Sequence, residues 1–334
     1  MLTVVILDAS GDQADKMKRS GRGRTEYYIK RHGITVERYN VTTDDGYQLR
    51  IFRLLPKVAT RGVALLQHGI RQSSANWLAL NRNLPLQLLD EGIEVWLANT
   101  RASTEGSTHI SLSSSSAEFW DFSFHEFGYF DLPAIVDTIL VISRWKRIHV
   151  IAFSQGAAAV LIFLTKRPMY SKMIASLNLL APAVIMANSR WTMLAVLYIT
   201  FKPILPWSLQ RFVTGSDEFY GNSQKELVHF QLLMLSGRFL AFDYGPKANL
   251  ELYGSSDPPE YPLGKVSCPV TLHYGGVDRT VHPKDVKRLS TLFSGSASVD
   301  MFRYNRMDHL DFLIRQEASS EVYPSVVYAV VKQL

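Results

Sequence analysis

One stretch restricts the fold more than any other: His149-Val150-Ile151-Ala152-Phe153-Ser154-Gln155-Gly156-Ala157-Ala158-Ala159-Val160. A short β-branched run stops at a serine, and an alanine-rich apolar run follows that reads as a helix. The unit is strand, sharp turn, helix, with Ser154 at the apex. Crowding at such a turn demands small residues two before and two after the serine, and Ala152 and Gly156 meet that demand. The turn pushes the Ser154 hydroxyl out of the sheet edge and gathers the following N–H groups around the same point. Alone, the pentapeptide is a weak signal and fits a strand-to-helix turn with a solvated serine better. The rest of the chain has to decide.

Upstream, Val36 to Thr43 and Tyr47 to Leu54 are β-rich runs joined through Asp44-Asp45-Gly46, which reads as a hairpin. Val63 to Gln67 suits a buried strand and empties into His68-Gly69-Ile70. Helical spacing runs from Asn76 to Leu89, and Ile93 to Ala98 is the next buried strand. Leu132 to Arg144 reads as a helix with Pro133 in its first turn, and Ala175 to Leu180 as another strand. After a break between Ala183 and Pro262 the pattern resumes. It continues with strand Val270 to Tyr274, helix Pro283 to Leu292, strand Val299 to Tyr304 and a last helix from Ser320 to Val331. Strands alternating with helices predict an α/β fold, a mostly parallel sheet with helices on both faces. The site of such a sheet lies at the carboxyl ends of its strands, where Ser154 falls. The expected organisation is a poorly ordered basic arm over 1–30, a core over 31–182 and 263–334, and a helical cap inserted at 183–262.

Several classes of function are disfavoured. The chain has 334 residues and a formal charge of +6. Residues 1–31 hold seven cations against four acids, and the stretch Lys16 to Arg24 reads as a solvated flexible arm. No zinc spacing, phosphate-cradling glycine loop or RNA-binding aromatic motif accompanies it, so neither a metal nor a nucleic-acid partner is expected. No window approaches the ~18 uninterrupted apolar residues of a membrane span. Met193 to Phe201 is the most apolar surface candidate, and it ends at Lys202-Pro203. The single cysteine, Cys268, admits no intramolecular disulfide and reads as a buried, inert thiol. The first residues lack the basic n-region and long apolar run of a secretory leader, so none is expected from them.

A serine is a weak nucleophile at neutral pH. It needs a base within hydrogen-bond reach, and the base needs an orienting carboxylate. Val270 to Tyr274 is followed by Gly275-Gly276-Val277-Asp278, a glycine turn and an acid. Val299 to Tyr304 is followed by Asn305-Arg306-Met307-Asp308-His309, a loop and a histidine. The order Ser154, Asp278, His309 is one in which this chemistry recurs. Asp285, Asp308 and Asp311 are rival acids, although neighbours in sequence rarely meet the ring nitrogen at the right angle. His68, His125, His273 and His282 read as structural. Two backbone N–H groups would complete an oxyanion hole: that of Gln155, next to the serine, and that of Ile70, in the loop after Gln67.

With these residues placed, the chain resembles the acid lipase family, the gastric and lysosomal acid lipases and their insect relatives. The resemblance runs nearly end to end. It rests on Val41-Thr42-Thr43-Asp44-Asp45-Gly46-Tyr47-Gln48-Leu49, Gln67-His68-Gly69-Ile70 and Val95-Trp96-Leu97-Ala98-Asn99-Thr100-Arg101. The most specific match is Phe119-Trp120-Asp121-Phe122-Ser123-Phe124-His125-Glu126-Phe127-Gly128-Tyr129-Phe130-Asp131-Leu132-Pro133-Ala134. Ser154-Gln155-Gly156 and Asp308-His309-Leu310-Asp311-Phe312 complete it. The resemblance implies the α/β-hydrolase fold and hydrolysis of lipid esters, such as acylglycerols or sterol esters, at a lipid–water interface and without a cofactor. It puts nucleophile, acid and base on Ser154, Asp278 and His309, and the oxyanion donors on Ile70 and Gln155. It also implies a secreted or lysosomal address.

This chain departs from the family at identifiable places. Ala152 and Phe153 stand where the family has Gly and His, and Ala102 where it has Gly. The 183–262 insertion is shorter than the family's cap, which bears on substrate size. Two other functions fit the same residues: an esterase or acyltransferase for smaller soluble substrates, and a non-catalytic lipid-binding protein on a hydrolase fold.

Overall fold

The computed structural model describes residues 23–103, 105, 107–191 and 223–334. The expectations for residues 1–22 and for Met193 to Phe201 lie outside these residues. Within them the elements in chain order are α1 (Arg24–Arg31), β1 (Thr35–Thr42), β2 (Tyr47–Leu55), β3 (Gly62–Gln67), α2 (Leu84–Asp90), β4 (Ile93–Leu97) and the short β5 (Thr108–His109). Then come α3 (Leu132–Ser143), β6 (Ile148–Phe153), α4 (Gln155–Lys166), β7 (Ile174–Leu180), α5 (Gln224–Ser236) and α6 (Pro246–Tyr253). The chain finishes with β8 (Val270–Gly275), α7 (Pro283–Ser290), β9 (Val299–Tyr304) and α8 (Tyr323–Val331).

The sheet runs β1-β2-β4-β3-β6-β7-β8-β9, with β5 added beside β2. From β4 to β9 every neighbouring pair is parallel, while β2 is antiparallel to all its partners. The expected hairpin is β1 and β2, turning through Gly46 at φ 94°. The central strands β3, β4, β6, β7 and β8 are buried at every position. That is why they read as continuous apolar runs rather than as alternation. Residues of α3, α4 and α7 belong to the core on one face of the sheet, and residues of α1, α2 and α8 to the core on the other. Each fully buried aliphatic side chain there contributes about 1.5–3 kcal/mol. From β3 the chain goes to β4 on one side, then returns to β6 on the other. This reversal opens a crevice at the carboxyl ends of β3 and β6, between Gln67 and Ser154.

Three expectations need correcting. Residues 24–31 are not part of an arm but form α1, with Ile29 buried. The buried Glu105 carboxylate accepts the N–H groups of Gly23 and Thr25 at 3.1 and 2.9 Å and the Thr25 hydroxyl at 2.7 Å. An anion there satisfies the orphan donors of the helix N-terminus. The helical spacing of Asn76 to Leu89 is divided into a 3₁₀ turn, Ser74–Leu78, and α2. Asn83 caps α2 by accepting the Leu86 N–H at 3.0 Å, and Pro85 follows, a pair that starts a helix rather than continuing one. The final helix is likewise split into Ala318–Glu321 and α8, which has Pro324 in its first turn.

Candidate active site

The site begins with the backbone of Ser154, at φ 53° and ψ −117°. A conformation this rare for a side-chain-bearing residue costs about 1–3 kcal/mol. It is held from both sides. The Ser154 N–H donates to Leu180 O at 2.9 Å, and Ser154 O accepts from the N–H groups of Ala157 and Ala183 at 3.0 and 3.2 Å. Gly156 is obligatory, because a Cβ there would lie 2.5 Å from His68 O and 2.8 Å from Gln67 O. The Ala152 methyl is buried in β6, beside Gln67 of β3 and Leu179 of β7, so the elbow accepts it. Phe153 is buried too, and its ring centroid lies 5.1 Å from that of His309. An apolar ring thus walls the imidazole where the family places a polar one.

Asp278 and His309 arrive from loops after β8 and β9. Those loops touch so closely that a Cβ on Gly275 would strike Met307 O, and one on Gly276 would lie 2.8 Å from Asn305 O. Asp278 is buried and fully satisfied. Its Oδ1 accepts the N–H groups of Thr280 and Val281, both at 2.8 Å. Its Oδ2 lies 3.0 Å from His309 Nδ1, and His309 Nε2 lies 2.9 Å from Ser154 Oγ. With Nδ1–H donating to the carboxylate, Nε2 accepts from the serine hydroxyl. The structure therefore brings Ser154, His309 and Asp278 into one hydrogen-bonded chain.

The rivals are elsewhere. Asp308 Oδ1 accepts the His309 N–H at 2.8 Å and Asp311 Oδ2 the Asp308 N–H at 2.8 Å, so both brace the loop rather than the ring. Asp285 holds Asn188 through its backbone and side-chain N–H groups. His282 caps α7. His68 and His273 are enclosed, and burial pushes them down to about 4 and about 3, so both are neutral. His125 Nδ1 meets the Tyr261 hydroxyl at 2.6 Å. Burial likewise pushes the Cys268 thiol up to about 12. No group of three or more His, Cys, Asp or Glu among the described residues is arranged to hold a metal ion.

Gln155 opens α4, so its N–H is one of that helix's orphan donors and sits directly after the elbow. Ile70 lines the same cleft as Ser154 and His309. The cleft measures about 630 Å³ and is walled by Met186, Trp191, Leu227, Phe230 and Met234, with Arg71 and Arg190 also lining it. One group was missed from sequence. Glu226 of α5 is fully enclosed, and its Oε1 accepts from Gln155 Nε2 at 2.7 Å. The Ser223-Gln224-Lys225-Glu226 pattern signals a helix start, but nothing local points its carboxylate at the elbow.

A crevice at the strand-order reversal, a strained serine and a histidine–carboxylate pair on later loops define an α/β hydrolase. The family described as alpha/beta hydrolase fold matches residues 63–314, and that described as partial alpha/beta-hydrolase lipase region matches residues 25–81. The chain belongs to the acid lipase family of this fold, whose members are carboxylic ester hydrolases. Lipase 1 of Drosophila melanogaster is 27% identical, covering 90% of this chain and 78% of its own length. Gastric triacylglycerol lipase of Rattus norvegicus is 29% identical, covering 88% of each. An esterase of Pyrococcus furiosus shares the fold, with a TM-score of 0.58 at 18% identity over 91% of this chain and 93% of that one.

Proposed function

We propose that the chain hydrolyses lipid esters through Ser154, His309 and Asp278. Ser154 Oγ attacks the ester carbonyl carbon as its proton passes to His309 Nε2. Asp278 holds the ring in the tautomer whose Nε2 accepts that proton and steadies the imidazolium that forms. The N–H groups of Ile70 and Gln155 receive the developing oxyanion. The intermediate collapses, the C–O bond breaks, and the alcohol leaves with the proton from His309. Water, deprotonated by His309, then attacks the acyl-enzyme, frees the fatty acid and returns the proton to Ser154. The observation that carries this reading is the continuous relay of 2.9 and 3.0 Å from serine to imidazole to buried carboxylate, opening into an apolar cleft.

The same reading makes residues 183–262 a cap over the cleft. Ala183, Met186 and Trp191 from its start and Leu227, Phe230 and Met234 from α5 line the cleft wall. The relatives named lipases favour a fatty acyl chain for that wall. The decisive experiment is labelling with a fluorophosphonate, with Ser154→Ala as control. Labelling of the native chain that vanishes in the folded variant is expected. A folded native chain that stays unlabelled would remove the nucleophile and favour the non-catalytic lipid-binding alternative. Rates on short soluble esters against emulsified long-chain esters would separate an esterase from a lipase.

A further inference from the structure

Glu226 is buried more deeply than its place in a helix start requires. A capping box at Ser223 uses one carboxylate oxygen: Glu226 Oε2 accepts the Ser223 N–H at 2.7 Å, while Ser223 Oγ accepts the Glu226 N–H at 3.1 Å. The Ser223 hydroxyl donates in turn to Phe122 O of the core. The other oxygen turns inward to the Gln155 side-chain amide at 2.7 Å. Both Gln155 and Glu226 are enclosed, so this contact is not shared with bulk water. Gln155 is the residue whose N–H the proposed mechanism places in the oxyanion hole, and its side chain is anchored outside its own helix.

The geometry points to Glu226 as a positioning residue for the oxyanion hole, acting through the Gln155 amide to fix the first turn of α4 from the start of α5. This rests on the function proposed above and deepens it. Glu226 touches no reacting atom. Its effect is transmitted through two covalently fixed groups of one residue, the amide it grips and the N–H that faces the oxyanion. A misaligned donor loses its contribution steeply with distance and angle. The carboxyl is also titratable, and it is linked to the elbow through the Gln155 amide. Burial drives it up to about 8, opposed by its hydrogen bonds with Ser223 and Gln155. Glu126 on the neighbouring turn raises it further and Arg71 of the cleft lowers it; Lys225 and His229 flank it on α5, and burial keeps His229 neutral. Ionised Glu226 opposes the oxyanion, and neutral Glu226 does not.

The test is the second-order rate of fluorophosphonate acylation, with kcat and KM on a soluble short-chain ester, across pH 5 to 9. The set is native chain, Glu226→Gln, Glu226→Ala, Gln155→Ala and the double alanine variant. Glu226→Ala and Gln155→Ala are expected to lower acylation and kcat about 10- to 100-fold with KM little changed. The double variant should be no worse than either single one, because both cut the same link. Glu226→Gln, a natural capping-box residue, should recover most of the loss and abolish the fall in rate above about pH 8. Acylation of Gln155→Ala at the native rate, or additive losses in the double variant, would overturn the role. Should Glu226→Ala not fold, the rate of Gln155→Ala still decides between the two outcomes. An unlabelled native chain would instead overturn the mechanism on which the role rests.

Discussion

At Gly156 there is no space for a side chain. Gly156→Ala would press a methyl to 2.5 Å from a backbone carbonyl of β3's outgoing loop, and a carbonyl cannot rotate away as a side chain can. We expect a loss of about 1–3 kcal/mol, the usual cost of overpacking, measured by urea unfolding, together with lost fluorophosphonate labelling. Unchanged labelling would mean the elbow is softer than its contacts imply. At Asp278 the outcome is different. In Asp278→Asn the remaining oxygen can keep the Thr280 and Val281 N–H groups, so folding should hold. The new amide presents a donor to His309 Nδ1, and the ring then carries its proton on Nε2, facing Ser154, in the wrong tautomer. Turnover should fall about 10⁴-fold, the scale known for this change in serine proteases, with an unchanged melting temperature. A tenfold loss or less would argue that another acid orients the ring. The three side chains of this relay were legible in sequence because each stands at or shortly after the carboxyl end of a strand, Ser154 directly after β6 and Asp278 and His309 in the loops after β8 and β9. Glu226 was not, because its partner lies 71 residues away and its own neighbourhood describes only a helix start.

At the scale of elements, the β1–β2 turn, the loop after β4 and the start of α3 are joined by one cation. Arg101 is 1% exposed and Asp131 fully enclosed. The guanidinium donates to Asp131 through Nε and Nη2 at 2.9 and 2.6 Å, and to Asp45 at 2.5 and 2.9 Å. It lies 3.9 Å over the Tyr47 ring. Arg101→Met would leave Asp131 enclosed without its counter-charge, a change that costs about 3–5 kcal/mol. Arg101→Lys should recover little of it, since an ammonium cannot span both carboxylates in one plane. Denaturant midpoints decide this, and a loss under 1 kcal/mol would show that water reaches Asp131 in the variant. Both motifs were visible in sequence, but their pairing was not. The same limit explains the other differences among the elements. The central strands were readable because burial on both faces leaves an unbroken apolar run. The break before α2 was missed because Trp77, Leu80 and Leu84 keep the apolar spacing across a gap that Asn83 and Pro85 open. Helix α1 was missed because the anion that caps it, Glu105, lies 80 residues away.

At the scale of the molecule, burial of neutral histidines sets the response to acid. His68 and His149 are pushed down to about 4, and His229 and His273 to about 3, each by burial first. An unfolded histidine takes its proton near 6.5, so below that pH the unfolded chain binds more protons and stability falls as pH falls. Glu226, pushed up to about 8, acts with the opposite sign: its folded form holds the proton more tightly, so stability declines as pH rises from about 4.5 to 8. Glu105 is raised as well and adds in that same sense. Four histidines outweigh these carboxyls on the acid side, and the raised carboxyls, Glu226 foremost, act above it. Urea midpoints at pH 5, 6.5 and 8 should therefore be highest near 6.5. A midpoint higher at pH 5 than at 6.5 would contradict the enclosure of these rings. The stitching at Ser223 has a separate consequence, for exchange between relatives. The proposed cap of residues 183–262, exchanged as a cassette, would end at residue 262. Here Ser223 is fastened to Phe122 and Glu226 to Gln155, so inheritance of the core reaches into that proposed cap. A recombinant taking a foreign cap would have to cross over before Ser223, and one joined after Glu226 would bring in a helix start fitted to another parent's elbow.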